Sequence, residues 1–182
     1  MSRNNDLPFE RGNTYYEGDT AAIASADGIN LEGTKYLVMD TVSGQEIWLM
    51  IVKNDTGSTL TAPGGKGLAP KAAFIGRKVN GTVASAGGYG HIADPLQVND
   101  VVNGDLFYVV DSGYVTGAKL GASNAVDFGV CCFNATGNLI PIGAQDGYVV
   151  GRFAGAVTST GDGNERVDVL VGGSAADYDN AP

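Results

Sequence analysis

Apolar residues along this chain fall into short runs separated by glycine, asparagine and aspartate, and few runs exceed eight residues. That spacing predicts many short strands joined by tight turns. Thr34–Val42 and Glu46–Lys53 flank Ser43–Gly44 and read as a hairpin. The second run, EIWLMIVK, is apolar at consecutive positions, so it is expected to be a central strand covered on both faces. Trp48 within it is then a core or interface anchor. Ala72–Val79 is a further strand candidate, ending at an Asn80–Gly81 turn. Asp105–Val110 starts after Asn103–Gly104 and is expected to stop at Asp111–Ser112–Gly113. Ala125–Phe133 is expected to stop at Asn134–Gly137.

The last pair alternates most regularly. Val149, Gly151, Phe153, Gly155 and Val157 define one face of Tyr148–Thr158. Val167, Val169 and Val171 define the inward face of the return strand, with Arg166 and Asp168 outward and Thr160–Asn164 as the turn. Glycines 151 and 155 inside a strand point to bulges or close backbone approach. No convincing helix is visible; Ala118–Ala125 has room for one short turn. The expected fold is therefore all-β, a compact antiparallel sandwich or small barrel spanning residues 34–171. An extended N-terminal arm (1–33) with a short strand near Tyr15–Tyr16 precedes it, and a short polar tail (172–182) follows.

Composition narrows the function. The chain has 28 Gly, 19 Val, 5 Glu and 1 His in 182 residues, a poor endowment for catalysis. Its formal net charge of −9 repels phosphate backbones, so nucleic acid is not an expected partner. No apolar run approaches a membrane span, and the N-terminus lacks the apolar core of a secretory signal, so no membrane partner is expected and assembly inside a cell is. Cys131 and Cys132 are adjacent, point to opposite faces of a strand, and are expected as free thiols. Three Asn-x-Thr triplets occur, at Asn54, Asn80 and Asn134, and without secretion they carry no weight as glycosylation sites.

Candidate chemistry is sparse. Ala62–Gly67 superficially resembles a phosphate loop, but Leu60 and Gly67 stand where such a loop needs Gly and Ser or Thr. His91 has no cysteine near it and no evident nucleophile, so neither a metal nor a catalytic site is expected. Asp162, Asn164 and Glu165 do not complete a calcium loop. No cofactor is expected. Tyr15, Tyr16 and Tyr89 lie in glycine-rich irregular segments, as core caps or as contact residues. Charge is uneven: Lys53, Lys66, Lys71, Arg77 and Lys78 occur with one acid among them, and the next forty residues hold four aspartates and no Lys or Arg. These runs read either as solvated loops or as complementary surfaces, and on the second reading Lys66 and Lys71 are candidate contacts to an acidic partner or a neighbouring subunit. Leu7, Phe9, Tyr15 and Tyr16 are candidate anchors of the arm on a neighbouring subunit or a partner protein.

From Asp100 onward the chain resembles phage head decoration (capsid cement) proteins. The likeness lies in Asn103–Val110 (NGDLFYVV), Phe133–Ile140 (FNATGNLI), Gly147–Phe153 (GYVVGRF) and Arg166–Val171 (RVDVLV). The resemblance implies a non-enzymatic virion protein on the outer capsid surface, assembled in the host cytoplasm. It implies a homotrimer that clamps neighbouring copies of a major capsid protein. Exposed sheet edges and a two-faced strand also favour self-association. Two other classes fit the same residues: a tail or head-completion component, and a β-sandwich module binding carbohydrate or another ligand.

Overall fold

The computed structural model describes residues 7–16, 31–70, 78–82, 89–121, 124–142, 148–157 and 165–172. They form an all-β structure with no helix. The strands are β1 (Tyr15–Tyr16), β2 (Lys35–Met39), β3 (Glu46–Asn54), β4 (Gly67–Pro70), β5 (Lys78–Thr82) and β6 (His91–Ala93). They continue as β7 (Asp105–Lys119), β8 (Val130–Phe133), β9 (Leu139–Pro141), β10 (Gly151–Phe153) and β11 (Arg166–Val171). The sheet runs β2-β3-β5-β4-β6-β7-β11-β10-β8-β9, with β1 on β7 and an additional β3–β7 pairing. Its end strands β2 and β9 do not meet, so the sheet as a whole is not closed into a barrel, and the arrangement agrees with a sandwich. The β3–β5 pairing is parallel, unlike the other strand pairs among the described residues, and an isolated bridge, Leu120↔Leu139, is parallel too.

β3 and β7 are the spine. They pair antiparallel from Ile47↔Gly113 to Lys53↔Leu106. Side chains alternate across them, and both faces are buried. Ile47, Leu49, Ile51, Tyr108 and Val110 enter one core with β8, β10 and β11 residues such as Phe133, Phe153 and Val169. Met50, Val52, Phe107 and Val109 enter a second core with Leu60, Leu68, Ala93 and Val101. The unbroken apolar run at 49–52 is the sequence trace of this double burial. The β2–β3 hairpin forms in the expected place, with Asp40 closing its turn by accepting from the Ser43 amide (2.9 Å) and hydroxyl (2.8 Å).

Five sequence expectations are corrected. β7 does not stop at Asp111–Gly113 but continues to Lys119. The register shifts between Trp48 and Leu49 opposite this point, so the glycine-bearing stretch is a bulge that turns the strand. Gly113 takes φ +112°, and a Cβ there would lie 2.8 Å from the Glu46 carbonyl oxygen. Residues 118–119 are consequently strand, not the start of a helical turn. β5 runs through Asn80–Gly81, expected as a turn; the side of that segment from 71 to 77 lies outside the described residues. Only Val130–Phe133 of the expected Ala125–Phe133 strand is strand, because Phe128 adopts φ +57° just before it. Gly155 has open space around its Cβ position, whereas at Gly151 a Cβ would overlap the Leu170 carbonyl. Close approach therefore explains Gly151 alone.

The β10–β11 pair forms as expected, Gly151↔Val171 to Phe153↔Val169, with Val167, Val169 and Val171 buried. Its expected turn at 160–164 lies outside the described residues. Cys131 and Cys132 are buried and unbridged. Burial and the neighbouring Cys132 push the Cys131 thiol up to about 12. Two of the Asn-x-Thr triplets are turn chemistry. Asn134 Oδ1 accepts from the amides of Thr136 and Asn138 and from the Thr136 hydroxyl. Asn54 Oδ1 accepts from the Thr56 amide and hydroxyl, while its Nδ2 donates to the Ser58 and Val101 carbonyls.

Candidate interaction surfaces

Within the segment expected as an extended arm, residues 7–16 lie against the domain. Leu7, Phe9 and Tyr15 pack on the first core, and β1 pairs with the start of β7. The Phe9 ring stacks on Tyr108 at 4.4 Å, and the Tyr108 hydroxyl donates to the Phe9 carbonyl at 2.9 Å. Burial raises the Tyr108 pKa and keeps this hydroxyl a donor. Arg11 fixes the strap electrostatically. Its Nε and Nη2 each donate to Asp94 at 2.7 Å, and Nη1 donates to Asp40 at 2.9 Å. Asp94 is 0% exposed, so the carboxylate end of the bidentate pair is fully desolvated, while the Arg11 side chain stays 9% exposed. Burial opposes the charge on Arg11, but the two carboxylates outweigh it and raise its pKa. Tyr16, the last strap residue, projects outward at 56% exposure. A cleft of about 430 Å³ beside the strap is lined by Leu7, Phe9, Glu10, Arg11, Thr41 and Leu96. Its cation is already held by Asp40 and Asp94, so it offers no acid–base pair.

A second surface is aromatic. Trp48 is 43% exposed, opposite Leu37 on β2 and Ser112 on β7. Met39, two residues beyond Leu37, is also exposed. Lys35, two residues the other way and so on the same face, donates to Asp111 at 2.7 Å. Beside that ion pair Tyr89 packs edge-on to Tyr148 (4.8 Å) and to His91 (5.4 Å), and its hydroxyl lies 3.2 Å from His91 Nε2. Burial lowers the His91 pKa against the opposing pull of Asp111, so the ring is neutral at pH 7. Tyr89 and Tyr148 both remain well exposed.

A third surface is basic. Lys66 sits in the Pro63–Gly67 turn, where Gly64 and Gly65 allow close approach of the Gln97 and Gly117 carbonyls. The Lys119 amide donates to the Gly65 carbonyl at 2.8 Å, which brings the end of β7 beside Lys66. Arg166 lies directly opposite Lys119 on β11, and its Nη1 donates to the carbonyls of Gly64 (3.0 Å) and Gly117 (2.8 Å). Lys71 lies outside the described residues. Among the described residues no group of three or more His, Cys, Asp or Glu is placed to hold a metal, and no helix is long and apolar enough to cross a membrane.

No family model and no curated protein matches the chain. One solved structure that it is similar to is the head fiber gp8.5 N base in bacteriophage phi29. The two share 15% identity at a TM-score of 0.45, over 68% of this chain and 94% of that one.

Of the residues singled out from the sequence, Leu7, Phe9 and Tyr15 converge on one core, while Tyr16, Trp48 and Lys66 sit on separate parts of the surface. Sequence reasoning missed Arg11, Asp94, Lys119, Arg166 and Tyr148 as members of these surfaces. Each lies far along the chain from its partners, so no local spacing signals it.

Proposed function

We propose that this chain is a non-enzymatic virion structural protein that binds the outer surface of a phage capsid and cements neighbouring major capsid subunits, acting as a homotrimer. The observation that carries the reading is the aromatic surface. The two cores are closed on both sides of β3 and β7, yet Trp48, Tyr89, Tyr148 and Met39 are left between 42% and 50% exposed. Tyr, Trp and Met are the residue types enriched at protein–protein contacts, and they contribute nothing to solubility. The motifs behind the capsid-cement resemblance support the same reading. They fall on the start of β7, the β8–β9 hairpin, β10 and β11, which form consecutive neighbours in the sheet. A negative net charge argues against direct contact with packaged nucleic acid and favours an external position.

The test is quantitative mass spectrometry of purified particles. The expected result is this chain in fixed stoichiometry with the major capsid protein, lost when particles are assembled without it. Its recovery only with tails or connectors makes it a tail or head-completion component. Its absence from particles, together with saccharide binding that Trp48→Ala and Tyr89→Ala abolish, makes it a carbohydrate-binding module.

A further inference from the structure

We propose that Lys66, Lys119 and Arg166 form a dock for a carboxylate-bearing segment of the partner protein. The partner's identity as a capsid subunit rests on the function proposed above; the chemistry of the dock does not.

Three observations carry the inference. First, the three cations come from three elements, the Pro63–Gly67 turn, the end of β7 and the start of β11, and the fold brings them to one edge. Lys119 and Arg166 are direct cross-strand partners, an arrangement that costs stability when both are charged alike. Burial lowers the Lys119 pKa, and Lys66 and Arg166 lower it further. Second, none of the three makes a salt bridge among the described residues, although acids outnumber bases 20 to 11 in the chain. Lys35 and Arg11, by contrast, are each matched by aspartate. Even with the adjoining Glu165 counted, the cluster is net positive. Third, Arg166 is held in place by two backbone carbonyls through a single nitrogen, Nη1. That anchors the guanidinium of an exposed side chain and leaves Nε and Nη2 for bidentate capture of a carboxylate. A repulsive, anchored cation cluster in an acidic protein is a cost that a complementary anion relieves.

A phosphate backbone has the wrong company here. The net charge of −9 around the cluster repels a long polyanion, whereas a short acidic loop meets only the local field.

The test uses the full chain, wild type and Lys66→Glu/Lys119→Glu, with Arg166 left intact because it also closes the fold. Each is titrated against three probes: particles assembled without this chain, a short poly-aspartate peptide of about six residues, and a single-stranded oligonucleotide of about the same charge. Thermal melting is measured in parallel. The expected result is binding to particles about tenfold weaker for the double variant at low salt, with the gap shrinking at about 0.3 M salt. Its melting temperature is unchanged or higher, because a glutamate in place of Lys119 faces Arg166 and turns repulsion into attraction. A residue pair with only a structural role moves melting and binding down together. If the double variant melts lower, Lys66→Glu alone, in the turn, carries the test. Equal affinity and equal salt dependence for wild type and variant overturn the proposal. If wild type fails to bind particles, the capsid reading falls. The dock then stands only if wild type binds poly-aspartate and the variant does not. Stronger binding to the oligonucleotide than to poly-aspartate overturns the carboxylate assignment.

Discussion

Replacing Arg11 by Met isolates what holds the N-terminal strap. Methionine keeps most of the aliphatic volume and removes only the guanidinium. Three charge-assisted hydrogen bonds disappear: two to Asp94 and one to Asp40. The two carboxylates do not suffer equally. Among the described residues, Asp40 keeps the Ser43 amide and hydroxyl, whereas the Asp94 carboxylate keeps only the Leu96 amide at 3.2 Å and is 0% exposed. The variant therefore buries one nearly uncompensated charge. Removing one partner of such a pair costs about 3–5 kcal/mol, and for a chain of this length that lowers the melting temperature by about 10 °C. Adding Asp94→Asn removes the stranded charge and is expected to restore roughly half of the loss, a coupling measurable in a double-mutant cycle.

The pH dependence separates charge from packing. In the wild type, burial works against ionisation of Asp40, but Ser43 and Arg11 prevail and its pKa is lowered. That contribution is present above the unfolded carboxylate pKa of about 3.9 and is lost as pH falls through the folded value. In Arg11→Met the part of that contribution that comes from Arg11 is gone, so the gap between the proteins narrows toward acid. Urea unfolding at a series of pH values between about 2.5 and 7 reads it directly. A gap that is the same at every pH refutes the electrostatic account and assigns the loss to packing. A melting change below about 2 °C refutes the strap as part of the fold. Truncation of residues 1–12 removes the same guanidinium and the Phe9 ring, so it is expected to destabilise the domain, not merely to release an arm.

Gly151→Ala drives a methyl group into the Leu170 carbonyl and is expected to cost about 2 kcal/mol or more, whereas Gly155→Ala meets open space and is expected to be neutral or slightly stabilising, both read by thermal melting. Asn54→Ala leaves the buried Val101 carbonyl without its side-chain donor and is expected to cost about 2 kcal/mol in urea unfolding. Cys131, buried with its thiol pushed up to about 12, is expected to resist iodoacetamide at pH 8 in the folded protein and to react once it is unfolded. Trp48→Ala, at 43% exposure, is expected to change stability by under about 1 kcal/mol while lowering particle occupancy; loss of both in proportion assigns Trp48 to the core instead.

How much of this was legible in the sequence depended on whether the signal was local. The β2–β3 hairpin, the double burial of β3 and the alternation of β11 each follow from residues within ten positions of one another, and each formed as expected. β7 was misread for an equally local reason. Asp111–Ser112–Gly113 has the composition of a strand terminator, and only the facing Trp48–Leu49 register shows it to be a bulge. A second glycine, Gly117 at φ +86°, sits at the next irregularity, where its amide donates to Asp168 at 3.3 Å. Glycine followed by continued β-branched residues, here Val115 and Thr116, is as compatible with a bend as with an end. The Arg11–Asp94 pair spans 83 positions, and nothing near either residue announces the other.

The same distinction separates two groupings of Lys66, one along the chain and one in space. The charge run read along the chain grouped Lys66 with Lys71, Arg77 and Lys78. In space Lys66 belongs with Lys119 and Arg166, brought together by the bent β7 and its pairing with β11. The bulges that make β7 hard to read are thus what place Lys119 opposite Arg166 and beside the Gly64–Gly65 turn. Because β3 and the first half of β7 are locked between two cores, the second half of β7 extends from a rigid base. A cation cluster mounted there keeps its geometry in the absence of a partner, and ordering it on binding costs little. Loosening that base therefore has a specific consequence. Gly117→Ala, strained at positive φ, is expected to shift the end of β7 and weaken binding to an acidic partner without removing any charge. Unchanged affinity in that variant, with the fold intact, refutes the dependence of the cluster on the bend.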